Sequence, residues 1–180
     1  MKRLILLLSS LVATAAAAST NVVVGAMAPE FVAVDSAGVT NTLTGLRGKW
    51  VVLYFYPRSF TPGCTAEACS LRDGFTAIQE LGAVILGISL DGAEKQAKFK
   101  AEYHLPFAIL SDTDKTVSRA YDCLAIGGLF AKRRTFIINP DGKIATIFEN
   151  VKTATHDQEV LAELKALQAN RPSTHADGHR

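Results

Sequence analysis

Cys64 is the residue whose surroundings in this sequence best support nucleophilic chemistry. The apolar run 50–56 precedes it in the sequence, and the three residues directly before it are Thr61, Pro62 and Gly63. Threonine is a good helix N-cap and proline suits the first helical position, so we predict that Cys64 is the third residue of a helix. Backbone N–H groups there lack helical partners, and the positive end of the helix dipole favours a thiolate over a thiol.

A second cysteine, Cys69, follows five positions after Cys64. In a helix the two Cα atoms would lie roughly 7.5 Å apart along the axis, with side chains about 140° apart around it. A disulfide needs Cα atoms within about 7 Å, so the pair could bond only if the helix unwound. A transient catalytic disulfide tolerates such unwinding better than a structural one does. The spacing therefore favours a redox cycle, with ordinary helix packing of Cys69 as the alternative.

The residues around Cys64 resemble the active-site motif of the peroxiredoxins, Pro-x-x-x-Thr-x-x-Cys, which Pro57, Thr61 and Cys64 reproduce. The longer run 54–73 is similar to the peroxiredoxin Q branch, also called bacterioferritin comigratory protein, in which the partner cysteine lies five residues after the first. Two further segments share the likeness: 25–31 and 133–142. This resemblance implies a thioredoxin-like α/β sandwich and a thiol peroxidase.

The resemblance also implies catalytic roles for individual residues. Cys64 corresponds to the peroxidatic cysteine, whose thiolate becomes sulfenic acid, and Cys69 to the resolving cysteine, which condenses with it to a disulfide. Thr61 corresponds to the threonine that hydrogen-bonds the peroxide, and Pro57 to the proline that shields the pocket from water. Arg134 resembles the arginine that favours the thiolate, binds the substrate and stabilises the departing charge.

Supporting roles at the same site are less defined. Backbone N–H groups around Gly63 would donate to the developing charge. Glu67 matches an acidic residue common in this branch and is a candidate support for the site. Arg133 is a second cation whose part the sequence does not separate from that of Arg134. Outside such a motif, an arginine pair more often marks a solvated strand entrance.

The remaining cysteine, Cys123, lies outside the motif, and a packing role is favoured over a third redox role. No second Cys or His pair has the short spacing typical of zinc sites, so we expect no metal or cofactor. The predicted function is reduction of hydrogen peroxide and organic hydroperoxides, recycled by a thioredoxin-like or other dithiol reductant. The alternatives are a thioredoxin-like thiol-disulfide oxidoreductase, disfavoured by the missing Cys-x-x-Cys motif, and a binding or holdase module that has lost its chemistry.

Residues 1–18 have the pattern of a bacterial secretory signal peptide, with Lys2 and Arg3 before an apolar stretch and a small-residue site at 16–18. The stretch is too short for a permanent membrane span, although an uncleaved anchor is the alternative. Without Lys2 and Arg3, the net charge of +2 falls to about zero. We therefore expect a periplasmic protein, monomeric or weakly dimeric, with no nucleic-acid partner and no membrane partner once the signal is removed.

The rest of the chain predicts one domain, residues 19–170, followed by a disordered polar tail, residues 171–180. Strand and helix patterns alternate and end in a hairpin around 139–142, which predicts an α/β sandwich with a central mixed sheet and an N-terminal β-hairpin. We expect the Cys64 helix to continue to about Leu81. A last helix should begin near His156, with Thr155 and Gln158 forming a capping box.

Overall fold

Strands and helices alternate along residues 22–170, the part of the chain that the computed structural model describes. The strands are β1 (Val32–Val34), β2 (Thr40–Thr42), β3 (Trp50–Phe55), β4 (Ala83–Ser89), β5 (Ala108–Ser111), β6 (Arg134–Ile138) and β7 (Ile144–Phe148). The helices are α1 (Pro62–Asp73), α2 (Phe75–Glu80), α3 (Ala93–Glu102), α4 (Thr116–Ala120) and α5 (His156–Ala169). The predicted signal peptide and C-terminal tail lie outside the described residues. Within 22–170, no helix has the length and apolar character needed to cross a membrane.

The main sheet has five strands in the order β5-β4-β3-β6-β7. Strand β3 is parallel to β4, and β4 is parallel to β5, whereas β6 and β7 run antiparallel to their neighbours. Strands β1 and β2 form a separate antiparallel hairpin. The expected mixed sheet and N-terminal hairpin are therefore confirmed. All six residues of β3 are buried, as expected for a strand covered on both faces.

Two hydrophobic cores lie on opposite faces of this sheet. Because successive strand residues point to opposite faces, β3 and β6 contribute alternate residues to each core. One core, packed against α4 and the hairpin, includes Val51, Leu53, Phe55, Phe136 and Cys123. The other, packed against the remaining helices, includes Val52, Tyr54, Tyr56, Ile137 and Cys64. The candidate peroxidatic cysteine thus belongs to the second core.

The expectation of one continuous helix from Cys64 to about Leu81 is wrong, because the helix is interrupted at Gly74 between α1 and α2. A β-carbon at position 74 would lie only 2.6 Å from Cβ of Asp157. The missing side chain allows the end of α1 to lie directly against the start of α5. The interruption thus coincides with a contact between segments far apart in the sequence.

Helix α5 begins at His156, as expected, but the predicted capping box is wrong. Within the described residues, the Thr155 side chain makes no capping hydrogen bond. Instead, the backbone N–H of Asp157 donates to Oγ of Ser70 over 3.0 Å, and the Ser70 hydroxyl donates to Oδ1 of Asp157 over 2.6 Å. The cap of α5 is therefore supplied by a residue of α1.

Candidate active site

Cys64 is the third residue of α1, as the sequence predicts, and only 1% of it is exposed. Thr61 occupies the N-cap position with extended backbone angles, but its hydroxyl donates to the carbonyl oxygen of Arg58 over 3.0 Å instead of capping the helix. That hydroxyl keeps its acceptor lone pairs for another donor, such as the O–H of a peroxide. Pro57 is half-buried where the chain leaves β3.

Arg133 is the cation that contacts the thiol. Its Nη2 donates to Sγ of Cys64 over 3.2 Å, while Nη1 forms an ion pair with Glu67. A β-carbon at position 63 would lie 3.3 Å from Nη2, so Gly63 leaves room for the guanidinium beside the first turn of α1. The sulfur therefore lies between a fixed positive charge and the N-terminal end of a helix. Both features stabilise negative charge that develops in this part of the site.

The expectation that Arg134 lies at the thiol is wrong. Its Nη1 donates to the carbonyl oxygens of Tyr121 and Asp122, each over 3.3 Å. Its Nη2 forms an ion pair with Glu149. Arg133 directly precedes β6 and Arg134 begins it, so strand alternation directs their side chains to opposite faces of the sheet. The side chains of these two adjacent arginines therefore lie on opposite faces of the sheet.

Glu67 is a fully buried carboxyl group one turn after Cys64. Burial raises its pKa from 4.5 to about 7, although the charge of Arg133 and its hydrogen bond lower it. Its Oε2 is paired with Arg133, whereas Oε1 has no hydrogen-bond partner among the described residues. Glu67 therefore holds one terminal nitrogen of the guanidinium while the other contacts the sulfur. Its own protonation state is balanced near neutral pH.

The loop between β3 and α1 is held by a carboxylate that sequence reasoning missed. The backbone N–H of Ser59 donates to Oδ2 of Asp91 over 2.7 Å, and Asp91 also pairs with Lys95 over 2.8 Å. The next residue, Phe60, has a positive φ of 69° and packs its ring against Phe99 with centroids 5.2 Å apart. No local pattern at Asp91 indicates this contact, because it joins segments that only the fold brings together.

Cys69 is half-buried in the same helix. Helix α1 is continuous from Cys64 to Cys69, so the separation expected for a helix applies. All three cysteines lie within the described residues and are free thiols. The structure therefore corresponds to a reduced protein with α1 folded.

Comparison with known proteins shows the family to which this chain belongs. The model of the AhpC/TSA family matches residues 24–147. The chain is a peroxiredoxin of the AhpC/TSA family. It is 39% identical over 150 residues to Peroxiredoxin Bcp of Bacillus subtilis (strain 168), which covers 80% of this chain and 96% of the relative. It is 41% identical over 147 residues to a putative peroxiredoxin bcp of Coxiella burnetii, covering 78% of this chain and 97% of the relative.

Solved peroxiredoxin structures share the fold. Peroxidoxin BcpB from Mycobacterium tuberculosis superposes with a TM-score of 0.74 at 34% identity, covering 80% of this chain and 97% of the other. Bacterioferritin comigratory protein from Xanthomonas campestris, studied for its alkyl peroxide reduction activity, has a TM-score of 0.72 at 34% identity, covering 76% and 91%. The expected thioredoxin-like fold and membership of the peroxiredoxins are confirmed.

In this peroxiredoxin, the candidate site residues fall into two groups. Those near the start of α1 lie together on one face of the sheet: Thr61, Gly63, Cys64, Glu67 and Arg133. Cys123 and Arg134 are buried on the other face, where burial raises the pKa of the Cys123 thiol to about 12 although Arg134 lowers it. Such a thiol is protonated at neutral pH, which fits the packing role predicted for Cys123.

Proposed function

We propose that this peroxiredoxin reduces hydrogen peroxide and organic hydroperoxides through a Cys64 and Cys69 cycle. The observation that carries the proposal is the 3.2 Å contact between Nη2 of Arg133 and Sγ of Cys64 at the N-terminal end of α1. A thiol in that position has the positive environment that a reactive cysteine requires. The alkyl peroxide reduction activity of the Xanthomonas campestris relative supports the inclusion of organic hydroperoxides.

The first step oxidises Cys64. Its thiolate attacks one oxygen of the peroxide, the S–O bond forms as the O–O bond breaks, and Cys64 becomes sulfenic acid. The departing oxygen leaves as hydroxide or alkoxide and takes a proton to become water or an alcohol. Arg133 takes the role that the resemblance assigned to Arg134, because its N–H groups face the sulfur and can donate to the charged oxygen. Thr61 accepts the peroxide O–H and so orients the substrate.

The second step joins the two cysteines of α1. The Cys69 thiol attacks the sulfenic sulfur, a disulfide forms, and water leaves. Helix α1 must unwind for this step, because folded α1 holds the two Cα atoms roughly 7.5 Å apart along its axis. A dithiol reductant of the thioredoxin type then opens the disulfide by two thiol-disulfide exchanges and leaves with a disulfide of its own.

The cellular setting follows from the sequence pattern of residues 1–18. We propose export across the inner membrane, removal of these residues and action in the periplasm, supported by the charged, apolar and small-residue regions in that order. An oxidising compartment requires a dedicated reducing partner for the cycle. Mass spectrometry of the protein recovered from the periplasmic fraction tests this proposal, and a chain that still carries Met1 to Ala18 contradicts cleavage.

The peroxidase cycle is tested with fully reduced protein and one equivalent of hydrogen peroxide. We expect a loss of two hydrogens, mapped by peptide analysis to a disulfide between Cys64 and Cys69. The Cys64→Ser variant should show no such change, and the Cys69→Ser variant should complete one turnover only. An unchanged mass of the wild-type protein after several minutes would overturn the proposed function.

A further inference from the structure

Ser70, the residue directly after Cys69, connects α1 to α5 by two hydrogen bonds. Ser70 donates its hydroxyl hydrogen to Oδ1 of Asp157 over 2.6 Å and accepts the N–H of Asp157 over 3.0 Å. Asp157 is the second residue of α5, whose early N–H groups need acceptors from outside the helix. Ser70 therefore caps α5 while Asp157 holds α1. Unwinding α1 at Cys69 removes both hydrogen bonds.

The first turn of α5 is itself fixed to the sheet. His156 is fully buried, with Nε2 lying 2.9 Å from Oγ1 of Thr135 in β6 and Nδ1 lying 3.1 Å from the carboxylate of Glu159. A β-carbon at position 74 would lie 2.6 Å from Cβ of Asp157, so the end of α1 packs closely against this turn. The turn thus provides a rigid support on which α1 is held through Ser70.

We propose that Ser70 and Asp157 form a clasp that sets the balance between folded α1, in which Cys64 meets peroxide, and unwound α1, in which Cys69 reaches Cys64. The inference rests on the proposed peroxidase cycle and adds a determinant of its second step. Ser70 and Asp157 are positioning residues, because they act through the conformation of α1 and touch neither cysteine sulfur in the mechanism.

The clasp has a measurable chemical consequence. Cys64 sulfenic acid either condenses with the Cys69 thiol, releasing water, or reacts with a second hydrogen peroxide to give sulfinic acid and water. Loss of the hydrogen bond between Ser70 and the Asp157 carboxylate shifts the folding equilibrium of α1 toward the unwound state by at least about tenfold. The unwound state lacks these bonds and is therefore favoured by the same factor. Condensation becomes faster, and overoxidation requires more peroxide.

The test compares Ser70→Ala with Thr146→Ala as a matched control. Thr146 donates its hydroxyl hydrogen to Glu163 of α5 over 2.6 Å, so it also anchors α5, but to β7 and not to α1. The sulfinic fraction is measured by mass spectrometry against hydrogen peroxide concentration. For Ser70→Ala we expect a rise of about tenfold in the hydrogen peroxide concentration that converts half of the protein to sulfinic acid. For Thr146→Ala this concentration should equal that of the wild type. Equal values for Ser70→Ala and wild type, or equal shifts in the two variants, would overturn the clasp.

A second measurement does not depend on peroxidase activity. Hydrogen exchange of the reduced proteins reports the opening of α1 directly. We expect amides 69–73 to exchange about tenfold faster in Ser70→Ala and in Asp157→Ala, which removes the acceptor of the Ser70 hydroxyl, but not in Thr146→Ala. If peroxide left Cys64 unoxidised, the proposed function would fail, while the exchange rates would still decide the clasp. Unchanged exchange in both clasp variants refutes it.

Discussion

Arg133 links the nucleophile to a buried acid with a single side chain. One guanidinium nitrogen contacts Sγ of Cys64 and another pairs with Glu67, so the position of the positive charge is fixed from two sides. A planar guanidinium can make both contacts at once, which a lysine ammonium on a flexible stem does less well. Rapid reaction with peroxide should therefore depend on Arg133 more than on any other cation of the chain.

Replacing the two adjacent arginines separates catalysis from stability. We expect Arg133→Met to slow the reaction of reduced protein with hydrogen peroxide by about 100-fold or more, because the donor facing the charged oxygen is lost. Arg134→Met should change this rate little but lower the free energy of unfolding, since two carbonyl oxygens and Glu149 lose their partner. Stopped-flow oxidation and urea unfolding measure the two effects. A slower reaction for Arg134→Met alone would contradict the assignment.

Glu67 should make stability depend on pH. Its pKa is about 7 in the folded protein against 4.5 for the free group, so the folded state binds more protons between these values. The contribution of Glu67 to the free energy of unfolding, on the order of 3 kcal/mol, is fully present below about pH 4.5 and is lost as the pH rises through 7. Glu67→Gln should lack this component in urea unfolding between pH 4.5 and 8. If the unfolding free energies of wild type and Glu67→Gln ran parallel with pH, the raised pKa would be contradicted. Glu80→Gln, which changes an exposed side chain, is the control.

At the scale of elements, the two ends of α1 differ in how far the sequence predicts them. Its start is encoded locally by Thr61 and Pro62, and the structure begins the helix at Pro62. Its end at Gly74 and its partner Asp157 depend on the approach of α5, more than eighty residues later in the chain. Local patterns contain no information about such packing. The same reason explains why the cap predicted at Thr155 is instead supplied by Ser70.

The loop before α1 should depend on Asp91 in the same long-range way. In Asp91→Ala, the Ser59 N–H loses its acceptor in a partly buried place, which costs about 1–3 kcal/mol of unfolding free energy. Because this loop positions Thr61, the reaction with peroxide should slow by at least about tenfold. Lys95→Met removes only a surface ion pair of Asp91 and should leave both quantities near wild type. Stopped-flow and unfolding measurements test both variants, and equal losses in the two would refute the role of Ser59.

At the scale of the whole molecule, the sheet determines which thiols can meet. Alternation along β6 indicates from the sequence that Arg133 and Arg134 face opposite ways, but not which of them faces Cys64. That choice depends on which face α1 packs against, and so on the complete strand order β5-β4-β3-β6-β7. The mixed sheet was predictable because each strand carries its own pattern, whereas the assignment of faces was not. The structure places Cys64 in one core and Cys123 in the other.

This separation predicts the fate of the Cys69→Ser variant. After one equivalent of hydrogen peroxide we expect sulfenic acid at Cys64, trapped by dimedone, and no disulfide between Cys64 and Cys123 by peptide mapping. The layer of β3 and β6 lies between the two sulfurs, and burial raises the pKa of the Cys123 thiol to about 12, so few molecules carry its nucleophilic thiolate. Cys123→Ala should turn over like wild type with a dithiol reductant. A disulfide between Cys64 and Cys123 in the Cys69→Ser variant would require the sheet to open during turnover and would make Cys123 a resolving residue.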